Sequence, residues 1–287
     1  MPIYQEKWIK SALDAADSAV LANDNGKLVD ALSIFPSDLF LLIYFDRPAA
    51  WPNLARWLPH FPPEEDQRLW AGNSGLYLMQ QASVFIDDLF AAYGAYNPRT
   101  VRVLDYGCGW GRMLRLLYRR ASIDNIYGAD PWEPSFERCR QFNVHANFGK
   151  VDYIPTKLPF DGKFDIAYLF SVFTHISDES QKAVLKTLRP QMADDGLLAV
   201  TIRQANYWPK TAWPDEALRM KLMEQHLREG FAFIPHGVEP GSHQTTHYGD
   251  TSQTLDYINA EWTDWKVQSV NWRMIDECQW TVYLRPN

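Results

Sequence analysis

The sequence predicts an α/β fold: a sheet of mostly parallel strands flanked by helices and preceded by a helical extension. From residue 101 onward, short β-branched or apolar runs alternate with helical segments, the rhythm of strands joined by crossover helices. Residues 1–97 lack that rhythm and read as mostly helical. The tail offers two strands close enough in sequence to pair as a hairpin, which makes the sheet mixed.

Along the chain, a first amphipathic helix is expected to end near the Asn25-Gly26 turn, and a Pro/Trp-rich stretch at 47–63 interrupts regular structure. A second helical pattern runs from Leu76 to Tyr93 and leads to Asn97-Pro98. Strands are expected at Val101–Asp105, Asn125–Ala129, Phe164–Phe170 and Leu197–Ile202, with a weaker one at Val144–Phe148. The apolar spacing of Arg112–Arg120 predicts a helix. In SDESQKAVLKTLRPQM, Asp178 with Gln181 predicts a capping box, and Asp194-Asp195-Gly196 a turn into the next strand. Between Arg203 and Asp250 the rhythm breaks into a segment rich in Pro, His, Gly and aromatics around one helix, Asp215–Arg228. That segment reads as an insertion or lid. A helix over Thr251–Trp262 and strands at Trp265–Asn271 and Cys278–Leu284 complete the chain. The expected organisation is an extension over 1–97 and a domain over 98–287, with the insertion at about 204–250.

Composition narrows the function. The 287 residues are 46% apolar and 14% aromatic, enough for a real core, and carry a formal charge of -7. That balance disfavours a polyanion as partner, so nucleic acid is not expected. Three widely spaced cysteines suggest neither a disulfide framework nor a cysteine zinc site, which fits a reducing cytoplasm. The longest apolar run, Leu39–Phe45, is too short to span a bilayer, and the amino terminus does not read as a signal peptide.

The chemistry begins at VRVLDYGCGWGRMLRLLYRR, residues 101–120. A phosphate-binding P-loop needs Lys-Ser/Thr after its last glycine, and Arg112-Met113 stands there. A dinucleotide fingerprint counted from Gly107 places its third, packing glycine at Arg112, where a long charged side chain does not fit. What remains is Asp105 at a strand end before Gly107-Cys108-Gly109-Trp110-Gly111. Glycines there can take positive φ and bring backbone amides close to a ligand, and a carboxylate beside them suits a cationic ligand better than a phosphate. S-adenosyl-L-methionine (SAM), with an ammonium, a sulfonium and a neutral ribose, has that charge pattern. The next strand ends at Asp130, whose carboxylate can accept from both ribose hydroxyls or, alternatively, cap the following helix. Pro131 and Trp132 follow and are placed to pack on the adenine.

On these residues the chain resembles the class I, seven-stranded SAM-dependent methyltransferases. VLDYGCGWGRML is similar to their first motif, IYGAD to their second, and LPFDGKFDIAYLFSVFTHIS to their strand-four region. Gly72-Asn73-Ser74-Gly75 and the late YGDTSQTLDYI resemble a bacterial subgroup linked to polysaccharide and natural-product biosynthesis. The resemblance implies a doubly wound, seven-stranded mixed sheet of Rossmann-like methyltransferase type, with an amino-terminal extension and an insertion after strand five. It implies that Asp105, Gly107, Cys108, Gly109 and Gly111 surround the methionine part of SAM, that Asp130 holds the ribose, that Phe170 packs near the methionine chain, and that Asp152 reads the adenine amino group.

Methyl transfer is an in-line displacement in which the protein mainly aligns, with a base needed only where the acceptor must lose a proton. Phe170-Ser171-Val172-Phe173 stands where methylases of base nitrogens and glutamine amides often carry Asn/Asp-Pro-Pro-Tyr, which counts against those acceptors. The candidates in the insertion are His236, His243, His247, Tyr248 and Asp250, next to Arg203 and Tyr207. Their spacing matches no recognised zinc pattern, so no metal is expected. His236 or His247 is the expected base for a hydroxyl acceptor, with Asp250 orienting it; alternatively Asp250 caps a helix beginning near Thr251. Arg203, Tyr207, Tyr248 and His175 are substrate-side candidates, although His175 reads first as a structural residue of its turn. Tyr207, Trp208, Trp213, Phe231 and Phe233 read as core in preference to a pocket. The expected activity is methylation of a hydroxyl on a sugar, glycan or small metabolite. The alternatives are a small-molecule N-methyltransferase and a non-catalytic SAM-binding regulator or scaffold.

Overall fold

The computed structural model describes residues 2–237, 246–273 and 277–287. The strands follow the order β3-β2-β1-β4-β5-β9-β8 of one seven-stranded mixed sheet, and β6 and β7 make a separate two-stranded sheet. By contacts the chain divides into two units, one ending at Phe148 and the other running Gly149–Asn287.

The first unit begins with six helices: α1 Lys7–Leu21, α2 Asn25–Ser33, α3 Ser37–Asp46, α4 Pro52–Trp57, α5 Glu64–Ala71 and α6 Gly75–Tyr93. In α1, Ile9, Ala12, Leu13, Ala16 and Ala19 recur at helical spacing and form its buried stripe. Asn25-Gly26 opens α2 and does not end α1, contrary to expectation. The break falls earlier, at Asn23 with φ 52°, and Asp24 caps α2 by accepting from the Lys27 amide at 2.9 Å. α6 buries Leu78, Met79, Ala82, Phe85, Ile86, Leu89 and Phe90.

Strand β1 (Val103–Tyr106) is buried throughout and pairs in parallel with β2 (Ile126–Asp130). Between them the expected helix is a 3₁₀ helix, Leu114–Arg119. Arg115, fully buried, donates from Nε to the Gly111 carbonyl at 3.0 Å and from its other nitrogens to the His60 and Trp110 carbonyls. Arg119 is buried too, and with Arg120 it pairs with Asp87 of α6. Arg115 and Arg119 of the basic stretch therefore point inward, while Arg112 and Arg120 are half-buried. α7 (Glu133–Gln141) and β3 (Asn147–Lys150) follow, the latter later than the expected Val144–Phe148.

In the second unit β4 (Phe164–Leu169) leads to α8 (Asp178–Leu188) and β5 (Met192–Arg203), which is parallel to β4. The capping box is replaced by Ser177, whose hydroxyl accepts from the Ser180 amide at 3.3 Å, while the Gln181 side chain donates to the Phe173 carbonyl at 3.0 Å. Asp194, Asp195 and Gly196 lie inside β5, where a register shift against β4 absorbs the expected turn. α9 (Glu216–Glu229) carries an Asp215 cap that accepts from the Leu218 amide at 3.0 Å.

Two strands that the sequence reading missed come next, β6 (Phe231–Pro235) and β7 (Gly249–Gln253), an antiparallel pair. The pairing turns Thr251–Gln253 from the expected helix into strand. α10 begins only at Leu255, runs to Glu261 and is capped by the Thr254 hydroxyl. Asp250 therefore caps no helix. β8 (Trp265–Asn271) and β9 (Gln279–Pro286) pair antiparallel as expected, and β9 pairs with β5. Trp208, Leu222 and Ala232 form a small core within the insertion, as the core reading of Trp208 predicts. Among the described residues no single helix is long and apolar enough to cross a membrane.

Candidate cofactor and acceptor sites

In the first unit the glycine loop leaves β1 with Gly107, Gly109 and Gly111 at φ 79°, 53° and 77°. The Gly107 and Cys108 amides both donate to the Ala129 carbonyl, at 2.7 and 3.1 Å, which ties the loop to the end of β2. Asp130 closes the arrangement: one carboxylate oxygen accepts from the Gly109 amide and the other from the Trp132 amide, each at 2.9 Å. Its side chain thus shapes the loop as well as the start of α7, and each oxygen keeps a second lone pair. Burial pushes its carboxyl above the ordinary range, against those two amides and Ser135, which hold it down. Asp105 is almost fully buried in β1 immediately before the loop.

The charge around the loop decides what fits it. Two acids flank it, while the Arg115 guanidinium is engaged by the His60, Trp110 and Gly111 carbonyls and offers no phosphate clamp. A ligand with a cationic end fits this donor set. Trp132 packs against Trp70 of α5 with ring centroids 5.0 Å apart. Trp70 also lies 3.4 Å from where a Cβ on Gly109 would stand, so it borders the loop. The sequence reading missed Trp70, since nothing local ties a helix ending at residue 71 to a loop at residue 109. Cys108 and Cys139 are buried beside the loop; the Cys139 thiol donates to the Gly109 carbonyl at 3.4 Å, and the contact with Cys139 together with burial raises the Cys108 thiol.

In the second unit Asp152 stands exposed on the segment after β3, and Phe170 is buried at the end of β4. The β6/β7 pair gathers most of the acceptor-side candidates. Asp250 in β7 is 5% exposed and accepts from Arg203 Nη1 at 2.6 Å on Oδ1. Its Oδ2 lies 3.2 Å from His236 Nε2. The His175 ring joins from the segment after β4, because the Gly249 amide donates to the His175 carbonyl at 2.8 Å and the Thr251 amide to the Thr174 carbonyl at 3.0 Å. Tyr248 stacks on His175 with centroids 5.6 Å apart and meets His236 edge-on at 5.4 Å. The Arg203 guanidinium lies over the Tyr207 ring, 4.0 Å from its centroid.

These groups border a cleft of about 420 Å³ lined by Trp213, His236, Gly237 and Asp250. Trp213 is 42% exposed and stands edge-on to His236, so it belongs to the cleft and not to the core, whereas Tyr207 packs against Trp208 as expected. His247 is elsewhere: its Nδ1 is 3.1 Å from the Ser177 hydroxyl and 3.7 Å from Glu179, at the start of α8. His243 lies outside the described residues. Burial and the neighbouring Arg203 push His175 down to about 4, so its ring is neutral. Burial raises the Asp250 carboxyl, but Arg203, His175 and His236 more than offset it and the net direction is down, so Asp250 is ionised. Burial pushes the Tyr207 phenol up to about 12.

A strand-end acid, a three-glycine turn and a second acid at the end of the next strand define an adenosine-cofactor site on an α/β sheet. Residues 77–265 match the family described as "Methyltransferase domain". The chain belongs to that family. Among curated proteins it is similar to trans-aconitate 2-methyltransferase of Agrobacterium fabrum (strain C58), 34% identical over 102 residues, which span 36% of this chain and 38% of that protein. Among solved structures it is similar to a SAM-dependent methyltransferase from Clostridium acetobutylicum, with TM-score 0.52 and 12% identity over 77% of this chain and 96% of that one. It is also similar to Streptomyces venezuelae DesVI, with TM-score 0.54 and 14% identity over 79% of this chain and all of that one. At such identities the two structures speak for the fold alone.

Proposed function

We propose that the chain methylates a hydroxyl of a sugar, glycan or small metabolite, with His236 as the base and Asp250 holding it. SAM supplies a methyl group already activated on a sulfonium. The glycine loop with Asp105 and Asp130 binds and orients that donor, and the 204–250 insertion supplies the acceptor cleft. The observation that carries the reading is the contact between His236 Nε2 and Asp250 Oδ2 at 3.2 Å beside that cleft. An alcohol must shed a proton as it attacks, and a carboxylate-oriented imidazole is the common group for removing one.

A carboxylate acceptor, the kind named for the Agrobacterium relative, needs no base and is better matched by a free cation. Among the described residues the cleft lining contains no Lys or Arg, and the nearby Arg203 is taken up by Asp250 and the Thr174 carbonyl. The odd number and wide spacing of Cys108, Cys139 and Cys278 support a cytoplasmic setting.

An acceptor screen with isotopically labelled SAM and mass readout tests the proposal, using panels of alcohols, amines and carboxylates. Label on alcohols is expected, with kcat falling by about 10²-fold or more in His236→Ala. His247→Ala is expected to keep kcat within about threefold, since His247 is bonded to Ser177. Normal turnover by His236→Ala removes the histidine-base reading. Label on amines alone moves the acceptor class to nitrogen, and SAM binding without transfer to any panel favours a regulatory role.

A further inference from the structure

Arg203 and His175 stand among the substrate-side candidates, yet their side-chain hydrogen bonds run to Gly249, Thr174, Asp250 and each other. The hydrogen-bond chemistry around them is decided by groups that can only donate or only accept. The Gly249 carbonyl accepts, and it lies 2.9 Å from His175 Nδ1, so that nitrogen carries the hydrogen. The neutral ring then has its lone pair on Nε2, and Arg203 Nη2, which can only donate, sits 3.1 Å from it. His175 has thereby no lone pair left for an acceptor's proton. Arg203 Nη1 donates to the Thr174 carbonyl at 2.8 Å and to Asp250 Oδ1 at 2.6 Å, while its flat face rests on Tyr207. The guanidinium is fixed in position and orientation, and its charge stands against Asp250.

An ionised Asp250 accepts only, so its contact at 3.2 Å places the hydrogen of His236 on Nε2 and the lone pair on Nδ1. We infer that Arg203 and His175 are positioning residues: the chain Gly249 carbonyl, His175, Arg203, Asp250 locks His236 in the Nε2–H tautomer with Nδ1 as the proton-accepting atom. The inference rests on the reading of His236 as the base, and it extends that reading to two residues bonded through Asp250. It gives the two imidazoles of the cluster opposite tautomers, Nδ1–H on His175 and Nε2–H on His236. Arginine suits the place better than lysine, because a planar fork can serve Thr174, Asp250 and His175 together while an ammonium acts as a single point.

The test is nitrogen-detected NMR of the full chain labelled with ¹⁵N-histidine, near pH 7.5 and with SAM present, which requires no acceptor. The wild type is expected to show His175 as Nδ1–H and His236 as Nε2–H. Arg203→Met is expected to bring the two His236 nitrogen resonances toward each other as the tautomers mix, with His226 unchanged as the internal control. His175→Gln, whose side-chain oxygen can still accept from Arg203, is expected to keep the His236 pattern, whereas His175→Leu loosens it. SAM affinity within about threefold of wild type checks that each variant is folded. An unchanged His236 pattern in both Arg203→Met and His175→Leu overturns the inference, as does a wild-type His236 with its hydrogen on Nδ1. The base reading is judged separately by turnover: loss of activity in His236→Ala with an unmoved tautomer sinks only the positioning role, and a locked tautomer with normal His236→Ala turnover sinks only the base.

Discussion

Replacing Gly111 by alanine tests whether the loop is built by packing as well as by backbone conformation. At φ +77° an added methyl carries the left-handed penalty, about 1–2 kcal/mol. It would also stand 2.8 Å from Val144 Cγ1 and 3.2 Å from both Val144 Cγ2 and Cys139 Sγ. Carbon contacts settle near ~3.5–4.0 Å, so the neighbours must retreat by more than half an ångström, an overpacking cost of about 1–3 kcal/mol. The sum is about 2–5 kcal/mol. Gly109→Ala is the matched control: φ is again positive, +53°, but the methyl meets only Trp70 at 3.4 Å, leaving about 1–2 kcal/mol of conformational cost. Urea denaturation monitored by tryptophan fluorescence reads both, and Gly111→Ala should lower the midpoint clearly more. Equal midpoints would mean that Val144 and Cys139 do not press on the loop and that the packing argument is wrong.

Asp130→Asn leaves one of the two backbone amides facing an NH₂ in place of its acceptor oxygen, and calorimetric titration should show SAM affinity falling about tenfold or more; unchanged affinity would detach Asp130 from the donor site. Asp87→Asn leaves the nearly buried Arg119 and its neighbour Arg120 without their shared anion, and should destabilise the first unit by about 1–3 kcal/mol in chemical melts, whereas a loss below about 0.5 kcal/mol would make the pair incidental. Stability should also fall on acidification. His175 titrates near 4 when folded against 6.5 when unfolded, so the unfolded chain binds the extra proton in between. Its contribution is complete above about pH 6.5 and is lost as pH falls toward 4, on the order of 2 kcal/mol by pH 5. His226, whose pKa burial also lowers, adds to the loss with the same sign. Urea midpoints at pH 7.5 and 5 should differ less in His175→Gln than in wild type, and an equal difference in both removes His175 from the acid response.

The arrangement of the glycine loop and its two acids was legible because it is local. Asp105, the glycine loop and Asp130 are joined by one strand, one turn and the next strand, and a missing phosphate lysine or packing glycine can be read directly from neighbouring residues. Strand and helix types in the sheet were likewise set by local apolar period, even where ends shifted by a few residues. Gly249–Gln253, in contrast, carries no apolar alternation, and all five residues are buried only because the strand pairs with Phe231–Pro235.

The sequence by itself determined the fold class and the methyl donor. That His236 lies beside Asp250, that Arg203 bonds both Asp250 and Thr174, and that Trp70 borders the glycine loop were decided by the tertiary structure. The physical reason is range: a hydrogen bond between positions 236 and 250, or one between 175 and 203, leaves no periodic trace in the chain. It exists only once β7 is hydrogen-bonded to both β6 and the 174–176 segment.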